Sequence, residues 1–258
     1  MVTLLDVIIL AIVQGLTEWL PISSSGHLVI AQKALGLNLP LIYSAILHVG
    51  TLIVVLAAFR KDIADIIQAL AKREFETEEG KLALFIAAGS IPIAIVGLAL
   101  KDFIEALFSS FLAIGISLLI TGSILFVSEK RTGNKKIGTQ DSLLVGLAQA
   151  FAIIPGISRS GVTVATGLLR KVDKARAFRF SFLLSVPAII GATIIEAKDL
   201  TRTNTDLALL VLGATISMLV GYASLKLLQK IVMNKKFHIF AYYCWTAGVA
   251  IIVYTLLY

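Results

Sequence analysis

The sequence predicts an all-α polytopic membrane protein made of two inverted-topology repeats, each a re-entrant helical hairpin followed by three transmembrane helices. Three observations carry this expectation. Of 258 residues, 58% are hydrophobic and 15% charged, with a mean hydropathy of +0.93, whereas soluble domains are about 45–50% apolar and about 25% charged. Six apolar runs are long enough to cross the roughly 30 Å hydrocarbon layer, which takes around 20 helical residues. A shift of 135 residues also superposes polar positions of one half on the other. The net charge of +7 points to basic loops facing an anionic leaflet and not to nucleic acid. A single cysteine, Cys244, excludes an internal disulfide framework and a Cys-rich metal site. The first apolar run follows Asp6 with no basic segment before it and no small-residue cleavage site after it, so no removable leader is expected.

The first hairpin comes from two short apolar runs, Val7 to Thr17 and Leu28 to Leu37, on either side of Pro21-Ile22-Ser23-Ser24-Ser25-Gly26. Three spans follow: Ile42 to Phe59, Leu82 to Leu100 and Leu107 to Val127. Between the first two, Lys61 to Glu79 carries Ile63, Ile66, Ile67 and Leu70 at helical spacing and reads as a helix lying on the membrane surface. The second hairpin, Leu143 to Ile154 and Val162 to Leu169, turns at Pro155-Gly156-Ile157-Ser158-Arg159-Ser160-Gly161. The last three spans are Phe180 to Ile195, Leu207 to Leu225 and Phe237 to Leu257. Irregular backbone at membrane depth is tolerated only where protein or a water-filled cavity surrounds it.

The repeat superposes Asp6 on Asp141, Gln14 on Gln149, Ile22 on Ile157, Ser23 on Ser158, Ser25 on Ser160 and Gly26 on Gly161. Residues 1–258 thus form a single membrane domain, with repeat one at 1–129 and repeat two at 136–258. Three crossings per repeat bring the second half in from the opposite side, and sites in such folds lie where broken helices meet at the midplane. Loop charges orient the chain. One face receives only Lys33, Lys101, Lys198 and Arg202, the other receives eighteen Lys and Arg, and Arg159 sits in the second elbow. The basic face is expected to be cytoplasmic, with both termini and the site's opening outside.

Glu18 and Arg159 are the informative residues, because an ionised group at membrane depth costs from about 3 to over 10 kcal/mol unless paired or hydrated. Gln14 and Glu18 lie four apart and share one helix face. The elbows add Ser23, Ser24, Ser25 and His27 from the first hairpin and Ser158, Ser160 and Thr163 from the second. Hydroxyls, one imidazole, one carboxylate and one guanidinium converging at two helix starts describe a phosphate site, since helix N-termini present free N–H groups and Arg grips phosphate bidentately. Glu18, His27, Ser24 and Arg159 are the expected catalytic set; Gln14, Ser23, Ser25, Ser158, Ser160 and Thr163 are the expected binding set. His27 is the candidate base and a neighbouring serine the candidate nucleophile. Against this stand plainer readings. Ser24, Ser25 and Ser160 could simply cap helices, and Glu18 with Arg159 could only weld the repeats. His48 lies in an otherwise apolar span and is read as supporting the site from behind; His238 sits at a membrane boundary.

The stretches Gln14-Gly15-Leu16-Thr17-Glu18-Trp19-Leu20-Pro21 with Ile22-Ser23-Ser24-Ser25-Gly26-His27, Pro155-Gly156-Ile157-Ser158-Arg159-Ser160-Gly161-Val162-Thr163, and Arg179-Phe180-Ser181-Phe182-Leu183-Leu184-Ser185-Val186-Pro187 closely resemble the undecaprenyl-diphosphatase family associated with bacitracin resistance. The resemblance covers nearly the whole chain. It implies hydrolysis of a polyprenyl diphosphate lipid to the monophosphate plus inorganic phosphate, which recycles the carrier used for cell-surface glycans. It also implies a divalent cation, Mg²⁺ or Ca²⁺, held near Glu18. The family carries Glu or Gln at the position of Gln14, and the Gln version removes one anionic ligand. Membrane lipids are the expected surroundings, and a homodimer is compatible with the sequence. The nucleophile stays open between serine, histidine and water. A second reading survives from the fold alone: a transporter or flippase of a phosphorylated lipid would use the same inverted-repeat site without hydrolysis.

Overall fold

A computed structural model of the chain describes residues 2–37, 39, 41–129, 133–196 and 207–257. Among these residues the backbone forms twelve α-helices in the order α1 (Leu4–Trp19), α2 (Ser24–Ala34), α3 (Leu41–Ala58), α4 (Arg60–Ala71), α5 (Glu78–Ala99), α6 (Lys101–Phe108), α7 (Phe111–Glu129), α8 (Thr139–Phe151), α9 (Arg159–Leu169), α10 (Lys174–Glu196), α11 (Leu207–Met233) and α12 (Ile239–Leu257). Five of them, α5, α7, α10, α11 and α12, are long and apolar enough to cross a membrane. A sixth, α3, qualifies together with α4, from which it is bent by 76°. The chain is therefore a polytopic helical membrane protein. The short runs on either side of each elbow form two helix pairs, α1–α2 and α8–α9. Of the loop charges used for orientation, Lys130, Arg131, Lys198 and Arg202 lie outside the described residues.

Several helices run past the apolar runs that predict them, α10 from Lys174 and α11 to Met233 among them, and two further boundaries differ for a clear local reason. The surface helix expected over Lys61 to Glu79 ends at Ala71, because Arg73 takes a left-handed φ of 58°. Thr77 then starts α5 by accepting a hydrogen bond from the Gly80 N–H at 3.1 Å, an ordinary N-cap. The span expected from Leu107 begins four residues later, at Phe111. Leu107 belongs to the separate helix α6, and the Ser110 hydroxyl caps the new helix by accepting from the Ala113 N–H at 3.2 Å.

Helices in lipid gain little from hiding apolar surface from one another, so close packing of small residues decides which pairs form. Accordingly, α1 lies on α11, α3 on α11, α8 on α5 and α7 on α12. At the α1–α11 crossing, a Cβ on Gly15 would come within 2.9 Å of the Ser217 carbonyl oxygen. Hydroxyls reinforce the contacts: Ser217 donates to the Leu47 carbonyl at 2.9 Å, and Ser142 donates to the Phe85 carbonyl at 2.5 Å. The end of α1 is anchored on α10 by aromatic rings, Trp19 on Phe182 at 5.3 Å and Phe182 on Phe178 at 4.3 Å between centroids.

At the basic end of the bundle, α8 starts on a carboxylate that is itself only 1% exposed. Asp141 receives Lys135 Nζ at 2.6 Å, Arg170 Nε at 2.9 Å and the Gly138 N–H at 3.1 Å. Burial pushes the Asp141 carboxyl up, but the Lys135 and Arg170 donors together with the Gly138 N–H outweigh it and hold the group below its ordinary value. A carboxyl depressed in the folded state contributes stability that is fully present above its unfolded value and is lost as pH falls through the folded one. Thermal unfolding in detergent should therefore show a loss of stability below the usual carboxylate range. Asp141→Asn should unfold earlier at neutral pH by about 1–3 kcal/mol and flatten that acid dependence; an unchanged acid profile in the variant would remove Asp141 from the account.

Candidate active site

Both elbows are built on a serine that caps the helix after it. Ser23 Oγ accepts from the Gly26 N–H at 3.4 Å, and Ser158 Oγ accepts from the Gly161 N–H at 3.2 Å. The bare capping role that sequence alone allows for Ser24, Ser25 and Ser160 thus falls to Ser23 and Ser158. The two elbows also hold one another: the Gly156 N–H donates to Ser23 Oγ at 3.1 Å, and Ser160 Oγ reaches the Leu20 carbonyl at 3.5 Å. Thr121 of α7 supports the second elbow, donating to the Gly156 carbonyl at 3.0 Å and accepting from the Ser158 N–H at 3.2 Å. The geometry is strained at Ser23, a non-glycine residue with φ of 71°, a conformation that persists only where its surroundings over-determine it.

This cross-bracing delivers one carboxylate to the meeting point. Glu18, on the last turn of α1, has its side chain only 3% exposed. One oxygen, Oε1, accepts from Arg159 Nη2 at the start of α9. The other, Oε2, accepts from Ser24 Oγ at 2.6 Å and Gln14 Nε2 at 3.1 Å, and faces His48 Nε2 at 3.3 Å. Four donors from α1, α2, α3 and α9 converge on it. That satisfies the requirement that a charge buried in a low-dielectric interior be paired and hydrogen-bonded.

Beside Glu18 opens a cavity of about 870 Å³ whose wall contains Glu18, Ser23, Ser24, Ser25, His48, Gln149, Ser158 and Arg159. Its apolar part comes from Leu37, Ile93, Phe108, Phe111 and Ile189. The lining runs up to Lys33 in the last turn of α2 and to Gly36, Leu39 and Ser109 in the loops, at the end of the bundle opposite Asp141. A polar, charge-bearing floor beneath apolar walls suits an amphiphile with an anionic head group, and the volume is typical of small-molecule sites.

The structure thus brings together Glu18, Ser23, Ser24, Ser25, Ser158 and Arg159 of the expected site. Gln14 stands behind the wall, holding Glu18. Ser160 pairs with Ser158 Oγ at 3.2 Å, and the Thr163 hydroxyl donates back along α9 to the Arg159 carbonyl at 2.7 Å. His27 is not in the cavity wall. Its Nδ1 donates to the Ser23 carbonyl at 2.7 Å, which turns the ring towards α12, where the Tyr243 hydroxyl meets Nε2 at 2.7 Å. The Ser24 hydroxyl donates to Glu18 and not to His27. Sequence reading passed over Gln149, whose buried amide makes no hydrogen bond to the described residues; its superposition on Gln14 was the available signal.

Against known proteins, the model of the family described as bacitracin resistance protein BacA matches residues 7–250. The chain belongs to this family. An undecaprenyl-diphosphatase of Halothermothrix orenii is 44% identical, with 96% of each chain covered. Others from Carboxydothermus hydrogenoformans, 42% identical over 95% of each chain, and Methanosphaera stadtmanae, 40% identical over 98% of each, are similar to the same extent. The match to the BacA family includes both elbows and every residue of the cavity wall.

The donor set does not fit a resident divalent cation. Among the described residues no three His, Cys, Asp or Glu side chains come together, and the only carboxylate in the cavity wall, Glu18, already takes four donors, one of them a guanidinium.

Gly156 is where this cross-bracing is most exposed to substitution. It has φ of 93°, and a Cβ there would lie 2.5 Å from the Ile114 carbonyl oxygen and 2.6 Å from Ser117 Cβ. Gly156→Ala should therefore lower thermal stability in detergent by about 1–3 kcal/mol and displace the second elbow. A melting curve matching that of the wild type would show that the elbow tolerates another path.

Proposed function

We propose that this chain hydrolyses undecaprenyl diphosphate to undecaprenyl monophosphate and inorganic phosphate, recycling a lipid carrier for cell-surface glycans. The observation that carries the reading is the 2.6 Å hydrogen bond from Ser24 Oγ to Glu18 Oε2 in the wall of the cavity that also presents Arg159. A hydroxyl bonded to a carboxylate is a nucleophile beside its base. Arg159 spends Nη2 on Glu18 and keeps its other N–H donors for phosphate oxygens. The α2 and α9 N-termini add partial positive charge at the same point.

In the first step Ser24 Oγ attacks the terminal phosphorus while its proton passes to Glu18. The P–O bond to the lipid monophosphate breaks, and that leaving group departs as an anion that needs no proton. Water then attacks the phosphoserine, the P–Oγ bond breaks, both protons of the water leave with the phosphate as dihydrogen phosphate, and the proton held by Glu18 returns to Ser24 Oγ. Arg159 and the helix starts stabilise the charge that builds on the transferred phosphoryl group, which is where most of the rate enhancement in phosphoryl transfer arises. We propose no step through a divalent cation; one accompanying the diphosphate would be held by phosphate oxygens and water. The lipid chain lies along the apolar wall at Ile93, Phe111 and Ile189. His27, one helical turn from Ser24, fixes the strained Ser23 carbonyl. The transporter reading has no comparable support, since the similar proteins are named as hydrolases.

The two halves are read as inverted repeats. In support, the first hairpin helix α1 lies on α11, the second span of the other half, and α8 lies reciprocally on α5, while Ser23 and Ser158 cap equivalent helices. The cavity is read as opening outside, because the loops at its mouth carry little positive charge and the opposite end carries most of it.

Three substitutions test the chemistry by inorganic phosphate release from a long polyprenyl diphosphate in detergent. Arg159→Lys keeps the charge but loses the fork, and should cost at least about tenfold, equivalent to 1.4 kcal/mol. Glu18→Gln should cost roughly 10²–10⁴-fold in turnover, and Ser24→Ala should abolish phosphoserine formation during turnover. Near wild-type release from Ser24→Ala would point to direct attack by water. For the orientation, a single cysteine at residue 72 should be reached only by cytoplasmic reagent and one at residue 36 only from outside; the reverse pattern would turn the site to the cytoplasm.

A further inference from the structure

His48 is the donor to Glu18 that the chemistry above leaves unused. It lies near the middle of α3, in the cavity wall, with 27% of its side chain exposed. Its ring is fixed from both sides: Nδ1 lies 2.7 Å from the Ser44 carbonyl, and Nε2 lies 3.3 Å from Glu18 Oε2. A carbonyl only accepts, so Nδ1 carries a hydrogen. Glu18 is a carboxylate accepting from Arg159, Ser24 and Gln14, so Nε2 meets it favourably only when it too carries a hydrogen. The contact is therefore made by the doubly protonated ring. It falls on Oε2, the oxygen that receives the Ser24 hydroxyl, whereas Arg159 holds Oε1.

We propose that His48 is a positioning residue for hydrolysis, holding Glu18 Oε2 in line with Ser24 Oγ through its second ring proton. This rests on the hydrolase reading above. The carboxylate needs such a hold because Arg159 has two tasks. As its guanidinium engages phosphate, the bond to Oε1 is shared with a stronger anion, and Glu18 is kept on line by the donors at Oε2. Gln14, from the same helix, fixes the carboxylate along α1; His48, from α3, fixes it across the cavity. The charged groups facing His48 are Glu18 of α1 and Arg159 of α9. The Lys and Arg residues of α10 and α11, which also pack on α3, belong to the first turns of α10 and the last turns of α11.

The test compares His48→Ala with His48→Gln in purified protein, following phosphate release against pH. The Gln side chain presents an N–H near the place of Nε2 but does not titrate. His48→Ala should lower kcat about ten- to hundredfold with KM within a few-fold, the pattern of a misaligned base and not of lost binding. His48→Gln should recover most of that kcat. It should also lack the wild-type decline on the alkaline side, where the second ring proton is lost. Equal kcat in His48→Ala and wild type would overturn the proposal, as would a wild-type alkaline limb that persists unchanged in His48→Gln.

A readout independent of turnover separates this from the hydrolase reading. The chain has three histidines, so imidazole nitrogen NMR signals can be assigned by single substitution. In substrate-free protein the doubly protonated His48 should persist to higher pH in wild type than in Glu18→Gln. Identical titrations in the two would overturn the pairing, whatever the activity. A wild type that releases no phosphate yet shows this difference would sink the hydrolase reading and leave the pairing standing.

Discussion

One ionised carboxylate at membrane depth sets the terms for the rest of this molecule. Leaving Glu18 unpaired there would cost an amount comparable with a domain's usual margin of stability, about 5–15 kcal/mol, so its partners matter to folding itself. They come from four helices: Gln14 from α1, Ser24 from α2, His48 from α3 and Arg159 from α9. Arg159 lies 141 residues further along the chain, so the pair can form only once both elbows are in place. Ser23 and Gly156 hold the elbows together for that purpose, and Thr121 of α7 props them. Much of the strain in the elbow backbone, at Ser23 above all, is the cost of bringing a helix end and a helix start to one point.

The use of hydroxyls shows how a small set of similar residues divides its work. Ser23 and Ser158 are consumed as caps, Ser25 bonds to Ser23 Oγ at 3.2 Å, and Ser160 bonds to Ser158. Ser24 alone among these serines donates to the carboxylate. Position explains it. The cap residue must have its side chain folded over the first turn of the helix, so the residue after it is the first whose side chain can leave the helix, and in the first elbow that residue faces Glu18. The equivalent position in the second elbow is Arg159. Two similar elbows thus supply a hydroxyl from one and a guanidinium from the other, and in the proposed mechanism the difference at that single position separates nucleophile from anion clamp.

The fold was legible because its signals are long. The six spans and the two elbows follow from composition, length and the 135-residue repeat, and each has its helix or helix pair in the structure. Two of the misplaced boundaries turned on local features: the start of α7 depended on the Ser110 cap, and the end of α4 on a left-handed Arg73, neither of which an apolar run reveals. The site was legible in its ionised residues, since buried charge is costly enough to be informative, and less so in its neutral ones. His27 stands three residues from Ser24 and looked like its base; only the bonds to the Ser23 carbonyl and Tyr243 show the ring turned away. His48, read as lying behind the site, is in its wall. Its apolar neighbours gave no hint of a carboxylate reached across from another helix.

In the proposed mechanism a base must keep its negative charge in a cavity that binds a diphosphate, and the arrangement around Glu18 accounts for how both anions would be accommodated. Arg159 and the doubly protonated His48 bring two positive charges against one negative, and two helix N-termini add partial charge of the same sign. The floor is therefore net positive before substrate arrives, although the proposed base is itself an anion. Low local dielectric makes each of these interactions stronger than in water, and the apolar wall keeps the dielectric low once a lipid chain covers it. The hydrocarbon part of an amphiphilic substrate would then contribute to the chemistry as well as to affinity, by sealing a polar floor whose electrostatics depend on being dry. A water-soluble diphosphate filling the same floor would leave the walls wet and the charges screened. For that reason the apolar lining at Ile93, Phe111 and Ile189 belongs to the proposed site as much as the polar floor does.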